Sequence, residues 1–470
     1  MKNENIMDTD NIGKALLKLA IPGIIGMLVN AVYNVVDTIF VGMLQNTSAI
    51  AAVSVAFPLF MLISSIGLMY GVGAASYISR LLGQKSREQA DKAASTTFFT
   101  AIVTGIAFTI AGYFSIEQLL KIFGATPTIM PYAKTYTTII MLGSVFTIMN
   151  MTMNNMIRAE GGAKYSMIAL SSGAIINIVL DPVMMFGLDM GINGAAVATV
   201  ISQAVSTLIL LRYYFQGNSV VKVALKNFKP SRHIYSQIMK IGLSTLGRQS
   251  LSSVSLGMLN TAAAVYGDVA VAAMGITLRV FSMALFTIFG YNQGMQPLIG
   301  YNYGAKRFDR LKKTLGISIK AMTIYSIVCT IVFWAFAEQI VGVFSQDIQV
   351  IDIGSRTLRA MCLMTPLLGF QQVYAVLFQA LGKGKEAFVL SLSRQGLFFM
   401  PAIIVLPKLF GLDGVIFTQT VADFMTNILT AFFAYSISKE LGKEEEKYTT
   451  KVDEKPVCCA VNQNTAKVLE

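Results

Sequence analysis

Residues that bind metal ions or act as nucleophiles are scarce in this sequence. Its 470 residues include one histidine, His233, and four cysteines, of which Cys458 and Cys459 are adjacent near the end. No Cys/His spacing of a metal site occurs and the cysteines give no disulfide framework, so we interpret Cys458 and Cys459 as reduced thiols rather than acylation sites. A GxxxxGK[ST] phosphate loop and a serine–histidine arrangement are also missing. We therefore expect neither an enzyme nor a bound cofactor.

Charged residues are few as well. They make up 13% of the chain, whereas 54% of the residues are hydrophobic. Such a chain is too apolar for a soluble globular protein, and we expect the lipid bilayer to be its solvent. The formal net charge is +12, but the basic residues lie in short loops between apolar segments. This is the positive-inside pattern of a membrane protein, so no nucleic-acid partner is expected.

Apolar segments recur along nearly the whole chain, and each is close to the ~20 residues that cross a bilayer as a helix. The sequence therefore predicts an all-α polytopic membrane protein with twelve spans. The second and eighth segments are longer than a span needs and are expected to tilt or to extend beyond the hydrocarbon. The predicted spans are 15–43, 49–79, 93–113, 134–156, 166–188, 192–213, 237–262, 268–299, 314–336, 355–378, 387–407 and 413–437.

Lysine and arginine fall in alternate loops, which predicts the orientation of the chain. Because basic loops stay in the cytoplasm, both termini are expected there, in the plasma membrane of a prokaryote. The polar segment 438–470 is predicted to be a disordered cytoplasmic tail. The basic loop residues are Arg80, Lys85, Arg87, Lys92, Arg158, Lys164, Arg212, Lys222, Lys226, Lys229, Arg232, Lys306, Arg307, Arg310, Lys312, Lys313, Lys383 and Lys385.

The sequence repeats itself at an offset of 221 residues. Gly73 aligns with Gly294, and a shift of 220 later aligns Gly191 with Gly411. Six spans per repeat give both halves the same orientation, with a pseudo-twofold axis along the membrane normal, as in transporters that alternate access between two bundles. We predict a cytoplasmic N-terminus (1–14), an N-lobe (15–213), a cytoplasmic linker (214–236) and a C-lobe (237–437).

The first span is unusually polar. Pro22 removes a backbone donor early in the helix and permits a bend there. Asp37 costs roughly 2.5–3.5 kcal/mol to insert at the centre of a span. Asn30, Tyr33 and Asn34 precede Asp37 by seven, four and three residues, so their side chains share its helical face. We predict that a cation binds at this face.

A second group of polar residues lies in the fifth and sixth spans. Asn177 and Asp181 share a helical face, and Thr199 follows in the next span. Two carboxylates brought together in low dielectric cannot both stay ionised cheaply, so one must be protonated or bind a cation such as Na⁺. The plainer alternative is that Asp181 and Pro182 end a helix while Asn177 bonds a backbone carbonyl. The repeat argues for function, because the offset places Met258 opposite Asp37 and residues 401–402 opposite Asp181.

The second half contains a different charged set: Arg248, Arg279 and Arg394 lie within spans, and Asp423 lies in the last one. They form either a structural ion-pair network or a site for an anionic substrate group, and the sequence does not say which arginine meets Asp423. Gln371 lies in the tenth span of the same half. The predicted substrate cavity is lined by Asn30, Tyr33, Asn34, Arg248, Arg279 and Gln371.

The chain resembles the MATE family of multidrug and toxin extrusion antiporters, in particular its MepA/DinF-like prokaryotic branch. The resemblance covers about residues 14–437 and rests on IPGIIGMLVNAVYNVVDTIFVG (21–42), LGQKSREQADKA (82–93), RAEGGAK (158–164) with QALGKGK (379–385), and NIVLDPVMMFGLDMGINGAAVAT (177–199). It implies two six-helix lobes around a central cavity, driven by inward H⁺ or Na⁺. It also implies a bend at Pro22 and a cation site whose ligands match Asp37, Asn177, Asp181 and Thr199.

One site of some family branches is missing from this sequence. Those branches have functional carboxylates in spans seven and ten. Here Arg248 and Gln249 stand in the first region, and Gln371 and Gln372 stand in the second. We therefore do not expect a cation site in the C-lobe.

The predicted function is efflux of lipophilic, often cationic drugs or toxins in exchange for H⁺ or Na⁺, by a monomer with the N-lobe cation site. The alternative within the same superfamily is a lipid or polysaccharide-precursor flippase, for which the three arginines would be the residues to suspect. A major-facilitator carrier would carry a GxxxD-R/K-x-G-R/K-like loop after the second span, and LGQKSREQADKA is not one. A channel is less consistent with two fused six-span bundles.

Overall fold

Long helices dominate the first half of the computed structural model, which describes residues 4–44 and 46–453. Cys458 and Cys459 lie outside the described residues. A π-helical turn, Val183–Gly187, follows the seventh helix. The helices of this half are α1 (Glu4–Met7), α2 (Ile12–Gly42), α3 (Thr47–Gly83), α4 (Arg87–Ile122), α5 (Met130–Leu142), α6 (Ser144–Ala159), α7 (Ala163–Pro182) and α8 (Ile192–Phe215).

The second half has the same plan. A connection with one short 3₁₀ turn, Leu225–Asn227, leads into the second half. A π-helical turn, Ser393–Leu397, interrupts the eleventh predicted span of the chain, 387–407. Its helices are α9 (Arg232–Ala264), α10 (Asp268–Gly304), α11 (Phe308–Ala335), α12 (Ala337–Gly342), α13 (Ile348–Cys362), α14 (Thr365–Leu381), α15 (Gly384–Leu392), α16 (Phe399–Phe410) and α17 (Leu412–Asp453).

The spans largely match the predicted ones. Among the described residues, nine helical stretches are each long and apolar enough to cross a bilayer. Two bent pairs, α5 with α6 at 48° and α13 with α14 at 54°, bring the total to eleven. The remaining predicted span, 237–262, lies within the 33-residue helix α9, which is long enough to cross but contains more serine and other polar residues.

The backbone repeats as the sequence does. Lys85 and Lys306, which are 221 residues apart, both have φ 58°. Gly161 and Gly382 both have positive φ at the same spacing, and Gly191 and Gly411, 220 apart, have φ 54° and 59°. These turns recur because each half must end and restart its helices at equivalent points. We call the side that carries the connections 84–86, 160–162, 216–231, 305–307 and 382–383 the basic face.

The two halves are in close contact at the basic face. A Cβ at Gly83 of α3 would lie 2.0 Å from the carbonyl oxygen of Tyr301, and one at Gly304 of α10 would lie 2.1 Å from that of Arg80. Tyr301 and Arg80 are themselves related by the 221-residue repeat, so the contact is reciprocal. Only glycine lets two helix backbones approach this closely.

Towards the opposite face each half packs on itself. In the first half, Val41 of α2 is buried against Met185 and Ala195. In the second, Leu259 of α9 belongs to a separate buried cluster with Phe399. The main buried core, in contrast, includes residues of both halves. The helices therefore meet at the basic face and separate into two bundles away from it.

The end of the chain differs from the prediction for 438–470. Helix α17 continues through Asp453, so 438–453 is helical rather than disordered, whereas 454–470 lies outside the described residues. Leu441 is buried, Lys383 pairs with Glu440, and Lys312 pairs with Glu445. These contacts with the second half hold the extension in place, and the polar sequence alone did not indicate them.

Candidate functional site

Two acidic side chains meet inside the first half. Helix α2 packs along α7, which brings the carboxyl group of Asp37 close to that of Asp181. Asp181 is fully buried and Asp37 is partly exposed. The pair therefore has one end in the protein interior and the other at its edge.

Asn177 and Thr199 complete the group predicted from the sequence. With the amide oriented so that both ends are satisfied, Asn177 donates to Asp181 Oδ2 at 2.9 Å and accepts from the Thr199 backbone N–H at 3.2 Å. Asn177 and Thr199 are 2% and 7% exposed. Asp181 does lie beside Pro182 at the end of α7, as the plainer alternative supposed, but its side chain is held by Asn177 inside the protein.

Two tyrosines adjoin the acids. Tyr33 lies one turn before Asp37 on α2, and its side chain lies close to Thr199. Tyr136 of α5 lies close to both Asp37 and Asp181. Tyr136 was not predicted. The repeat did contain a signal for it: the 221-residue offset places Thr357 opposite Tyr136, so this tyrosine, like Asp37 opposite Met258, has no counterpart in the second half.

A small polar cavity continues from this group. Its volume is about 30 Å³, which is enough for water or a small cation but far below the roughly 300–1,000 Å³ of drug-sized sites. A hydrogen bond of 2.8 Å from Asn150 Nδ2 to Gln203 Oε1 lies in its wall. The cavity is lined by Asn30, Tyr33, Asn150, Met151, Leu170, Gly173, Ala174, Asn177, Thr199, Ser202, Gln203 and Ser206.

Two other predicted residues lie on α2: Asn34, about one turn before Asp37, and Pro22, about 22 Å from Asp37 along the helix. Asn34 is exposed, and its Nδ2 donates to the carbonyl oxygen of Asn30 at 2.7 Å. Pro22 lies within α2, which is helical on both sides of it. The following residue, Gly23, faces the second half, since a Cβ there would lie 2.3 Å from the carbonyl oxygen of Gly290.

The acid pair has no basic partner among the described residues. No lysine or arginine of this part of the chain pairs with Asp37 or Asp181, and their polar neighbours are Asn177, Thr199 and tyrosine hydroxyls. Two neighbouring carboxylates in low dielectric cannot both be charged cheaply without a cation or proton between them. The oxygen atoms present are the hard ligands that suit Na⁺ or a proton.

The charged residues of the second half do not join this group. Arg394 donates to Asp423 through Nε at 2.6 Å and Nη2 at 3.2 Å, and Gln419 donates to the same carboxylate at 3.0 Å. The arginine that pairs with Asp423 is thus Arg394. Arg279 is exposed on α10.

Two further residues predicted to line the cavity lie elsewhere in that half. Arg248 on α9 has its guanidinium 5.7 Å from the ring centre of Phe289. Gln371 is 4% exposed, and its Oε1 has no hydrogen-bond partner in the described structure. No hydrogen bond or ion pair between described residues joins Arg248, Arg279 and Gln371.

An all-helical membrane protein built from two repeats of six predicted spans has the architecture of a transporter that alternates access between two bundles. The MatE family profile matches residues 22–183 and 249–404, and the chain belongs to this family. It is therefore a transporter and not an enzyme.

Full-length relatives and solved structures agree with this. The chain is 30% identical over 443 residues to the multidrug export protein MepA of Staphylococcus haemolyticus, which covers 94% of the chain and 98% of the relative. It is 28% identical over the same length to MepA of Staphylococcus aureus. A structure described as the outward-facing conformation of a multidrug resistance MATE family transporter superposes with a TM-score of 0.89 at 26% identity, over 94% of this chain and 99% of that one. The predicted all-helical polytopic fold is confirmed.

Proposed function

We propose that this protein exports lipophilic, often cationic drug-like compounds in exchange for a cation that binds at Asp37 and Asp181. The full-length similarity to multidrug export proteins supports the export of such compounds. The carboxyl groups of Asp37 and Asp181 lie close together within predicted spans and have no basic partner among the described residues, which supports the location of the cation site.

The proximity of the two carboxyl groups favours H⁺ as the coupling ion. Two neighbouring carboxyl groups in low dielectric can share one proton. Asn177 occupies one oxygen of Asp181 as a donor and uses its own oxygen on Thr199, which leaves few free ligands for Na⁺. Na⁺ remains the alternative, and it would need the oxygens of Asn177 and Thr199 to turn towards the carboxylates.

The proposed cycle exchanges substrate and cation between two states. The lobes 15–213 and 237–437 move as two units around the connection between them. With the basic face in the cytoplasm, the contact of Gly83 with Tyr301 closes the inner side, so this conformation is open to the outside. A proton then binds the acid pair, α2 bends near Pro22, and the first lobe closes on the substrate site so that substrate leaves. Coupling requires the two ligands to favour different states, because a ligand bound equally by both shifts nothing.

The energetics are sufficient for such an exporter. One charge that crosses a potential of 100 mV supplies about 2.3 kcal/mol, and each 1.4 kcal/mol corresponds to a tenfold concentration ratio. A single inward proton can therefore support a gradient of roughly fortyfold for an uncharged substrate. Exchange of one proton for one monovalent cation moves no net charge, so for a cationic substrate the energy comes from the proton concentration gradient, at about 1.4 kcal/mol per tenfold ratio. We place the transporter as a monomer in the plasma membrane of a bacterium, with both termini in the cytoplasm.

The test is dye export by purified protein in liposomes under an imposed pH gradient or, separately, an imposed Na⁺ gradient. We expect the wild type to respond to the pH gradient, and Asp37→Asn and Asp181→Asn to lose the response while still inserting. The matched control is Asp189→Asn, an exposed aspartate with φ 52°, a conformation that asparagine tolerates. An inserted Asp37→Asn protein that exports at the wild-type rate would refute the site, and a response to Na⁺ alone would refute the proton.

A further inference from the structure

The two halves carry opposite charge within the predicted spans. The first half has Asp37 and Asp181 with no basic partner among the described residues. In the second half, Asp423 pairs with one arginine, Arg394, and their side chains are 5% and 12% exposed. Arg248 and the exposed Arg279 remain, and neither forms an ion pair among the described residues.

Arg248 lies deep in the protein. It stands sixteen residues after Arg232 on α9, about 24 Å along the helix from its basic-face end. Its neighbour Gln249 contacts Met61 of α3 at 3.7 Å from Nε2 to Sδ, so this part of α9 borders the space between the halves. Arg248 is partly exposed there.

No acidic side chain neutralises Arg248. Within the part of the chain that the structure describes, it forms no ion pair and donates no hydrogen bond. Its contact is with the ring of Phe289, and the neighbouring Arg394 carries a charge of the same sign. The attraction between a guanidinium and an aromatic ring is weaker than an ion pair. Charged groups within a membrane are normally paired with an opposite charge.

The repeat indicates why the carboxylate of Asp423, which pairs with Arg394, does not also pair with Arg248. The offsets place Arg394 opposite Gly173 and Asp423 opposite Gln203, and these two residues line the small polar cavity of the first half. The ion pair therefore fills the counterpart of that cavity, and both oxygens of Asp423 are occupied by Arg394 and Gln419. Arg248 is left facing the space between the halves.

We infer that Arg248 binds an anionic oxygen group of the transported molecule, a carboxylate or a phosphate, with Phe289 as the adjoining apolar wall. This rests on the proposed export function and names a substrate class for it: amphiphiles that combine a cationic or apolar body with an anionic group. A guanidinium presents two parallel N–H donors to a carboxylate or a phosphate, a geometry that a lysine does not reproduce.

The experiment compares two dyes that differ in one group. Rhodamine B carries a cationic ring system and a free carboxylate, and its ethyl ester keeps the ring system without the negative charge. Export of each by liposomes that contain the full chain is measured as KM and kcat for the wild type, Arg248→Gln, Arg248→Lys and the control Arg232→Gln, at an exposed arginine near the start of the same helix. We expect Arg248→Gln to raise the KM of rhodamine B roughly tenfold or more while the ester is unaffected. Arg248→Lys should lie between, and Arg232→Gln should change neither dye.

A second arm identifies the source of the anion. The same proteins are tested for translocation of fluorescently labelled phosphatidylglycerol, with a labelled galactosyl diacylglycerol, which has no phosphate, as its partner. A selective loss of phosphatidylglycerol in Arg248→Gln assigns the site to a lipid phosphate, and a selective loss of rhodamine B assigns it to a substrate carboxylate. The ratio of the two dyes within one sample is independent of how much protein has folded.

An equal effect of Arg248→Gln on both members of each pair, or no effect, overturns the inference. That result differs from failure of the proposed function, in which the wild type itself would move neither dye under an imposed cation gradient.

Discussion

Arg310 of α11 donates a hydrogen bond of 2.7 Å to the carbonyl oxygen of Thr9 and so ties the segment before α2 to the second half of the chain. The same guanidinium donates to the carbonyl oxygen of Met7 at 3.1 Å and to Asn302 Oδ1 at 3.2 Å. Met7 is 1% exposed. Because α2 otherwise belongs to the first half, these bonds join the halves at the basic face.

Arg310→Ala is expected to favour opening at the basic face. Hydrogen bonds from a charged donor contribute about 1.5–3 kcal/mol each, so we expect a shift of about 2 kcal/mol, roughly thirtyfold in the equilibrium between states. Spin labels at Lys164 and Lys385, two exposed positions related by the repeat, would report the opening as a longer interspin distance. Arg307→Ala is the control, because its pair with Asp8 is exposed and contributes little. Equal distance distributions for Arg310→Ala and the wild type would contradict the prediction.

Tyr136→Phe is expected to weaken cation coupling and leave the fold intact. The change keeps the ring and removes only the hydroxyl near Asp37 and Asp181, a loss of about 1 kcal/mol or a fewfold change in cation affinity. The measurement is the dependence of dye export on the imposed cation gradient. Tyr132→Phe, an exposed tyrosine one turn earlier in α5, should have no effect. A Tyr136→Phe protein with wild-type gradient dependence would remove Tyr136 from the site.

Glu160, in the connection after α6, should make stability depend on pH. Burial raises the pKa of its carboxyl to about 7, although the backbone N–H groups of Val220 and Val221, at 2.6 and 3.0 Å, oppose this. The unfolded chain releases the proton near its ordinary value of 4.5. The stabilising contribution is therefore complete below about pH 4.5 and is lost as the pH rises through 7.

The expected loss is on the order of 3 kcal/mol. Thermal unfolding of the detergent-solubilised protein between pH 5 and 8 measures it, and Glu160→Gln should flatten the profile over this range. A profile of the same slope in Glu160→Gln would assign the pH dependence to other groups.

Removing one partner of the Arg394–Asp423 ion pair is expected to destabilise the protein strongly, whereas replacing both residues with apolar ones is expected to change its stability little. Asp423→Asn leaves the buried guanidinium of Arg394 without a charge partner, for which we expect a loss of about 3–5 kcal/mol. Replacing both residues together, Arg394→Met with Asp423→Leu, should restore most of that stability, because apolar side chains of similar size need no partner. Unfolding of the single and double variants in detergent tests this, and a double variant less stable than Asp423→Asn would argue against it.

The sequence alone determined the class of fold and most of the acid group. In lipid, the backbone N–H and C=O groups of a long apolar segment find their hydrogen bonds within a helix. An aspartate in such a segment is costly to insert, so Asp37 is conspicuous in the sequence. The repeat added that Asp37 and Asp181 have no counterparts in the second half. These features are local or periodic, so they can be read along the chain.

Only the tertiary structure decided which side chains meet. Tyr136 reaches the acid pair from a helix ninety-nine residues further along the chain than Asp37, and Asp423 pairs with Arg394 rather than Arg248. The helical end of α17 likewise depends on contacts with Lys312 and Lys383. Helix packing brings distant positions together through shape complementarity and close contacts at glycine. The hydrophobic pattern along the sequence does not specify which helix faces will pack against each other.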